Sequence, residues 1–117
     1  MNPQKQKGDR WERALAAWLR GQGWPHAERT RAGWEDDRGD IAGTPGVTWS
    51  AKDCRTLRWS EWLSDLADQV VNAGTDIGVL ALKRPGTADA GQALAVMRLD
   101  KLVELLHAAG YGDGGPQ

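Results

Sequence analysis

Hydrophobic and polar positions alternate along this chain in distinct stripes and runs, each of which marks one structural element. Residues 1–8 are polar throughout and read as a flexible arm. From Asp9, a suitable N-cap, Trp11, Leu15, Trp18, Leu19 and Gln22 fall on one helical stripe, and Gly21 and Gly23 stop it. Three short extended segments follow, at about 26–31, 38–42 and 47–53, with the turn pair Pro45-Gly46 making a hairpin of the last two. A second helix is expected from a Ser60 cap to about Ala73, with Trp62, Leu66 and Val70 on one side and Gly74 at its end. The run 77–82 is continuously apolar, as in a strand buried on both faces. After a loop at 85–91, residues 93–99 read as another strand. Asp100 then caps a last helix with Leu102, Val103, Leu105 and Leu106 apolar, and 110–117 is a Gly-rich, flexible tail.

The predicted order is helix, three strands, helix, two strands, helix. Its natural packing is an α/β fold, a mixed central sheet flanked by helices. With 117 residues there is room for one domain, placed at 9–109, and not for two. The chain has no run approaching a membrane span and no apolar leader, and its single cysteine, Cys54, excludes an internal disulfide or a cysteine-rich zinc site. An intracellular, cytoplasmic protein without a membrane partner is expected.

Net charge is −1, which by itself does not advertise a nucleic-acid binder. The distribution changes that picture. Residues 1–58 hold 11 Lys and Arg against 8 Asp and Glu, whereas 59–117 hold 4 against 8. Several acids of the first half fall together at 35–37 and Asp40, a grouping suited to a metal ion. Asp40 opens one strand of the hairpin and Lys52 closes the other, so the two are brought to neighbouring strands. Ser50 and Lys52 share a face because strand side chains repeat every second residue. Charges on strands are rarely buried unless they are paired or bind a ligand. Either Asp40 and Lys52 form an ion pair or polar edge, or they form a phosphodiesterase site. In the second case a carboxylate holds Mg²⁺ or Mn²⁺, and Lys52 supports the attacking water or the developing charge.

Asp40, a gap of nine residues and then Ser50-x-Lys52 resembles the PD-(D/E)XK nuclease signature. Lys7-Gly8-x-x-x-Glu12-Arg13 at the first helix resembles Holliday junction resolvases of the archaeal type and their phage relatives. Gln69 in the following helix, and Ala73-Gly74 before an apolar strand ending in Lys83-Arg84, add to that likeness, which spans about residues 7–106. The resemblance implies a restriction-endonuclease-like core and a homodimer that cuts branched or double-stranded DNA with Mg²⁺ or Mn²⁺. It implies Asp40 as central metal ligand, Glu12 reaching the metal or its water, Lys52 positioning the nucleophile and Gln69 orienting water or phosphate. Without it, Glu12 reads as a helix-surface partner of nearby arginines.

Ser50 departs from that pattern, since the family carries a second metal-binding acid there. Three outcomes stay open: a DNA-binding scaffold without activity, a metal held by Asp40, Glu12 and the Ala51 carbonyl, or a migrated carboxylate. Some restriction enzymes of this family supply the acid from the next helix. There Glu61, Asp65 and Asp68 are available, and Asp65 is preferred because it shares a face with Gln69. Asp53 points away from Lys52. Lys7, Arg10, Arg29, Arg31, Arg55 and Arg58 are the expected phosphate contacts. Trp34 and Trp59, in expected loops, suit stacking on exposed bases. His26 and His107 belong to no metal or triad motif.

Overall fold

A computed structural model describes residues 2–30 and 36–113. In chain order it contains α1 (Pro3–Arg20), β1 (Glu28–Arg29), β2 (Ile41–Ala42), β3 (Val47–Lys52), α2 (Trp59–Ala73), β4 (Ile77–Leu82), β5 (Leu94–Val96) and α3 (Leu99–Ala108), with a short 3₁₀ turn at Ala90–Gln92. The five strands form one sheet in sequence order. Only β3 and β4 run parallel, joined across one face by α2; the other neighbours are antiparallel. This is a mixed sheet with helices, an α/β fold in the order the sequence predicts.

Several boundaries differ. The polar residues 3–8, read as a flexible arm, are helical. Pro3 occupies the first helical turn, where a missing N–H costs nothing, and the Asn2 side chain accepts a hydrogen bond from the Gln4 N–H at 3.0 Å. Asp9 is therefore not the cap but an interior residue whose carboxylate meets Lys5 and Arg29. The helix α2 starts at Trp59 and α3 at Leu99, neither with a side-chain cap, so Ser60 and Asp100 lie inside them. Only two residues each of the expected first and second strands pair. Arg31, Trp34, Glu35 and the last four residues lie outside the described residues.

The core has two layers, one on each face of the sheet. Trp11, Leu15, Ala16 and Leu19 of α1 cover Ile41, Ala51 and Ala81, while Trp62 and Leu66 of α2 cover Leu80 and Leu82. Strand alternation explains the split: neighbouring residues of β4 point to opposite helices, so its whole run must be apolar. The Trp11 Nε1–H donates to the Ala81 carbonyl at 3.0 Å, which fixes α1 on the sheet. Among the described residues no helix is long and apolar enough to cross a membrane.

Helix α2 lies tightly over Gly78, where an added Cβ would lie 2.6 Å from Val70 Cγ2 and 3.2 Å from Leu66 Cγ. We expect Gly78→Ala to destabilise the domain by roughly 1–3 kcal/mol through overpacking. In a double-mutant cycle read by chemical denaturation, Val70→Ala should relieve part of that cost. Strict additivity would show that α2 does not sit on Gly78 in this way.

Candidate active site

Asp40 stands where the β2–β3 ladder runs out. Its N–H donates to the Trp49 carbonyl at 2.7 Å, and its carbonyl accepts from the Thr30 N–H at 3.0 Å. Past this point β3 has no backbone partner from β2, and the Asp40 carboxylate replaces one: Oδ2 accepts from the Ala51 N–H at 2.7 Å. The strand edge thus orients the acid, and the acid satisfies a buried donor. Gly39 makes the approach possible. Its φ is +93°, and a Cβ there would lie 2.7 Å from the Trp49 carbonyl oxygen. The Lys52 carbonyl accepts from the Lys83 N–H on the β4 side, so alternation turns the Ala51 carbonyl to the Asp40 side of β3.

Glu12 comes from α1 and lies close enough for its charge and that of Asp40 to repel. Burial raises the Glu12 carboxyl above its ordinary value and the Asp40 charge raises it further, against the opposing pull of Arg29. Burial likewise raises Asp40, opposed by the Ala51 N–H and by Lys52, while Asp37 adds to the rise. Arg29, expected as a phosphate contact, is instead tied inward. It meets Asp9 at 2.9 Å and Glu12 at 3.6 Å, the latter through a buried Nε that makes no hydrogen bond among the described residues. Glu12 therefore pairs with a strand arginine, not with an arginine of its own helix.

Lys52 and Ser50 share the α2 face of β3. Ser50 is only 2% exposed. The Lys52 Nζ lies 5.6 Å from the centroid of the Trp62 ring, and no ion pair joins it to a carboxylate among the described residues. A direct Asp40–Lys52 ion pair is thus absent, although the Lys52 charge favours the Asp40 anion.

Asp65 is exposed on α2 and makes no hydrogen bond to Asp40 or Glu12. The acid that meets Gln69 is Asp37, which accepts from the Gln69 side-chain amide at 2.8 Å. Asp37 also accepts from the Gly39 N–H at 3.0 Å, and its carbonyl accepts from Asn72 at 2.9 Å. These bonds clamp the loop before Asp40 onto α2. The Gln69 Oε1 is buried without a partner among the described residues. Sequence reasoning named Asp37 only as part of an acidic group. The signal for its role was Asp37-x-Gly39, an aspartate that bonds the backbone two residues on.

Beyond the C-terminal end of β3 a cleft of about 650 Å³ opens between the start of α1 and the start of α2. Lys7, Arg55 and Arg58 line it together with Trp62, the ring beneath Lys52. Lys7 also pairs with Asp53 at 3.5 Å, and Arg58 with Glu61 at 3.6 Å. Trp59 packs edge-on to Trp62, with ring centroids 5.6 Å apart, and stays partly exposed. Arg10 is exposed on α1. Compared with protein-family models, with curated proteins and with solved structures, the chain matches none.

The donor set suits a hard divalent cation. Two carboxylates that repel one another, with the Ala51 carbonyl beside them, offer oxygen ligands of the kind Mg²⁺ takes, and Mg²⁺ sites use one or two carboxylates completed by water and phosphate. No group of three or more His, Cys, Asp or Glu able to hold a metal occurs among the described residues. Without a cation the arrangement costs stability. A carboxyl raised in the folded state binds its proton more tightly there, so the cost is present above the folded value and disappears as pH falls below the unfolded one. Metal-free Glu12→Gln should therefore melt a few degrees higher than wild type near pH 7.5. The gap should close as the pH is lowered towards 4 in calorimetric scans. A variant less stable than wild type at neutral pH would mean that the Arg29 contact outweighs the repulsion.

Proposed function

We propose that this chain is a Mg²⁺- or Mn²⁺-dependent DNA endonuclease that hydrolyses phosphodiester bonds and selects its substrate by shape, with branched DNA of the Holliday junction type as the preferred target. The observation that carries this reading is the carboxylate of Asp40, half-buried and fixed by the Ala51 N–H within the fields of Glu12 and Lys52. The resemblance to PD-(D/E)XK nucleases, and among them to junction resolvases, supports the substrate class. The basic cleft beside Lys52 supports a polyanion, and such a protein would work in the cytoplasm.

In this reading Asp40, Glu12 and the Ala51 carbonyl hold the cation. When bound, it would offset phosphate charge and make water more acidic. Water adds to phosphorus, one P–O ester bond breaks, and the leaving oxygen takes up a proton. Lys52 orients that water and stabilises the negative charge that grows on the phosphoryl oxygens. Its ammonium lies over the Trp62 ring. Arg55 and Arg58 contact flanking phosphates, and Lys7 does so from its ion pair with Asp53. Asp37 and Gln69 position Asp40 by fixing the preceding loop, without touching substrate.

A second reading has its own observation: Ser50 stands where the family has an acid, and no third acid joins Asp40 and Glu12 among the described residues. In that case the chain is a catalytically impaired nuclease fold that binds DNA. Cleavage of labelled four-way junctions and linear duplexes with each metal separates the two. The nuclease reading predicts cutting by wild type, a loss of about 100-fold in Asp40→Asn and in Lys52→Ala, and a normal rate in Asp65→Ala. Equal cutting by wild type and Asp40→Asn would sink the site. Binding without cutting, converted to cutting by Ser50→Glu, would establish the second reading.

A further inference from the structure

The helix α3 leaves its apolar side chains uncovered. None of its ten residues is buried. Leu99, Leu102, Val103 and Leu106 make one stripe at helical spacing with Leu105 beside it, and Leu99 is 73% exposed. A helix of this length is marginal in water unless tertiary packing holds it. The same chain carries an unfilled apolar groove of about 340 Å³, walled by Leu63, Ala67, Val70 and Val71 of α2 and by Val96 and Met97 at the end of β5. Val71 is 79% exposed and Leu63 41%.

We propose that two copies of the chain associate by exchanging α3, each helix lying in the α2–β5 groove of the other copy. Three arguments select a second copy over any other occupant. First, the chain supplies both members of an apolar pair, so one contact made twice about a two-fold axis covers both the α3 stripe and the groove and closes the assembly. Second, α3 springs from the rim of its own groove. Only Met97 and Arg98 separate β5 from α3, and both, with Lys101, already line the groove's edge. So short a link leads the helix out of the groove and leaves no slack to fold it back. Third, Leu63 and Val71 at the groove and Leu99, Leu102, Val103 and Leu106 on α3 are each at least 38% exposed, apolar surface of the kind that marks a protein interface. The exchange holds whatever reaction the acidic site performs, because none of its residues belongs to that site.

Light scattering after size exclusion, combined with cross-linking, tests it. Wild type at micromolar concentration should have twice the chain mass, and Leu106→Asp or Val71→Asp should each give a folded monomer, with circular dichroism unchanged, because both side chains are exposed. In a Cys54→Ser background, Ala67→Cys and Val103→Cys chains are mixed with a short flexible bismaleimide. A covalent dimer that forms only in the mixture is the expected result. Three results overturn the proposal: a monomeric wild type, a covalent dimer from Val103→Cys alone, or an internally cross-linked monomer from a chain carrying both cysteines.

Discussion

The hydrogen bond from the Ala51 N–H to the Asp40 carboxylate is the contact on which the site's arrangement rests. Strand β2 is two residues long, so β3 outruns it and exposes a donor that the interior cannot leave unmet. A carboxylate meets that need, and in doing so is held in a place where its own charge is disfavoured by burial. Gly39 gives the backbone the room to deliver it, and the Asp37–Gln69–Asn72 clamp fixes the loop that leads to it. Structure and strain are thus created by one interaction.

Electrostatics then shapes what surrounds Asp40. Glu12 on one side repels it, and Arg29 offsets the repulsion in part while being shared with Asp9. On the α2 side Lys52 stabilises the anion without touching it, its ammonium resting over Trp62. A network neutralised by direct ion pairs would have little use for a further cation. This one leaves two acids only partly compensated.

Much of the architecture was legible in the sequence because it depended on local pattern. The apolar run of β4, the hairpin at Pro45-Gly46 and the end of α2 at Gly74 follow from strand period, turn chemistry and capping. The start of α1 was not legible, since residues 3–8 are polar and present no stripe; the Asn2 cap and Pro3 were the available signal. The lengths of β1 and β2 depended on a side chain replacing a backbone bond, which no periodicity records. Of the candidate site, the neighbourhood of Asp40 and Lys52 followed from the hairpin, whereas the approach of Glu12 depends on how α1 is rotated on the sheet. The pairing of Gln69 with Asp37 in place of Asp65 joins a helix to a loop, and the inward turn of Arg29 joins a strand to α1. Such contacts are set by packing between elements.

We propose that Asp40 and Glu12 together form the seat of a divalent cation. Titration of Mn²⁺ into metal-free protein, with the free ion counted by electron paramagnetic resonance, tests it without reference to any reaction. The account predicts one Mn²⁺ per chain, bound at least about tenfold more weakly by Asp40→Asn and by Glu12→Gln and unchanged in Asp65→Ala. The same affinity in wild type and Asp40→Asn would contradict it.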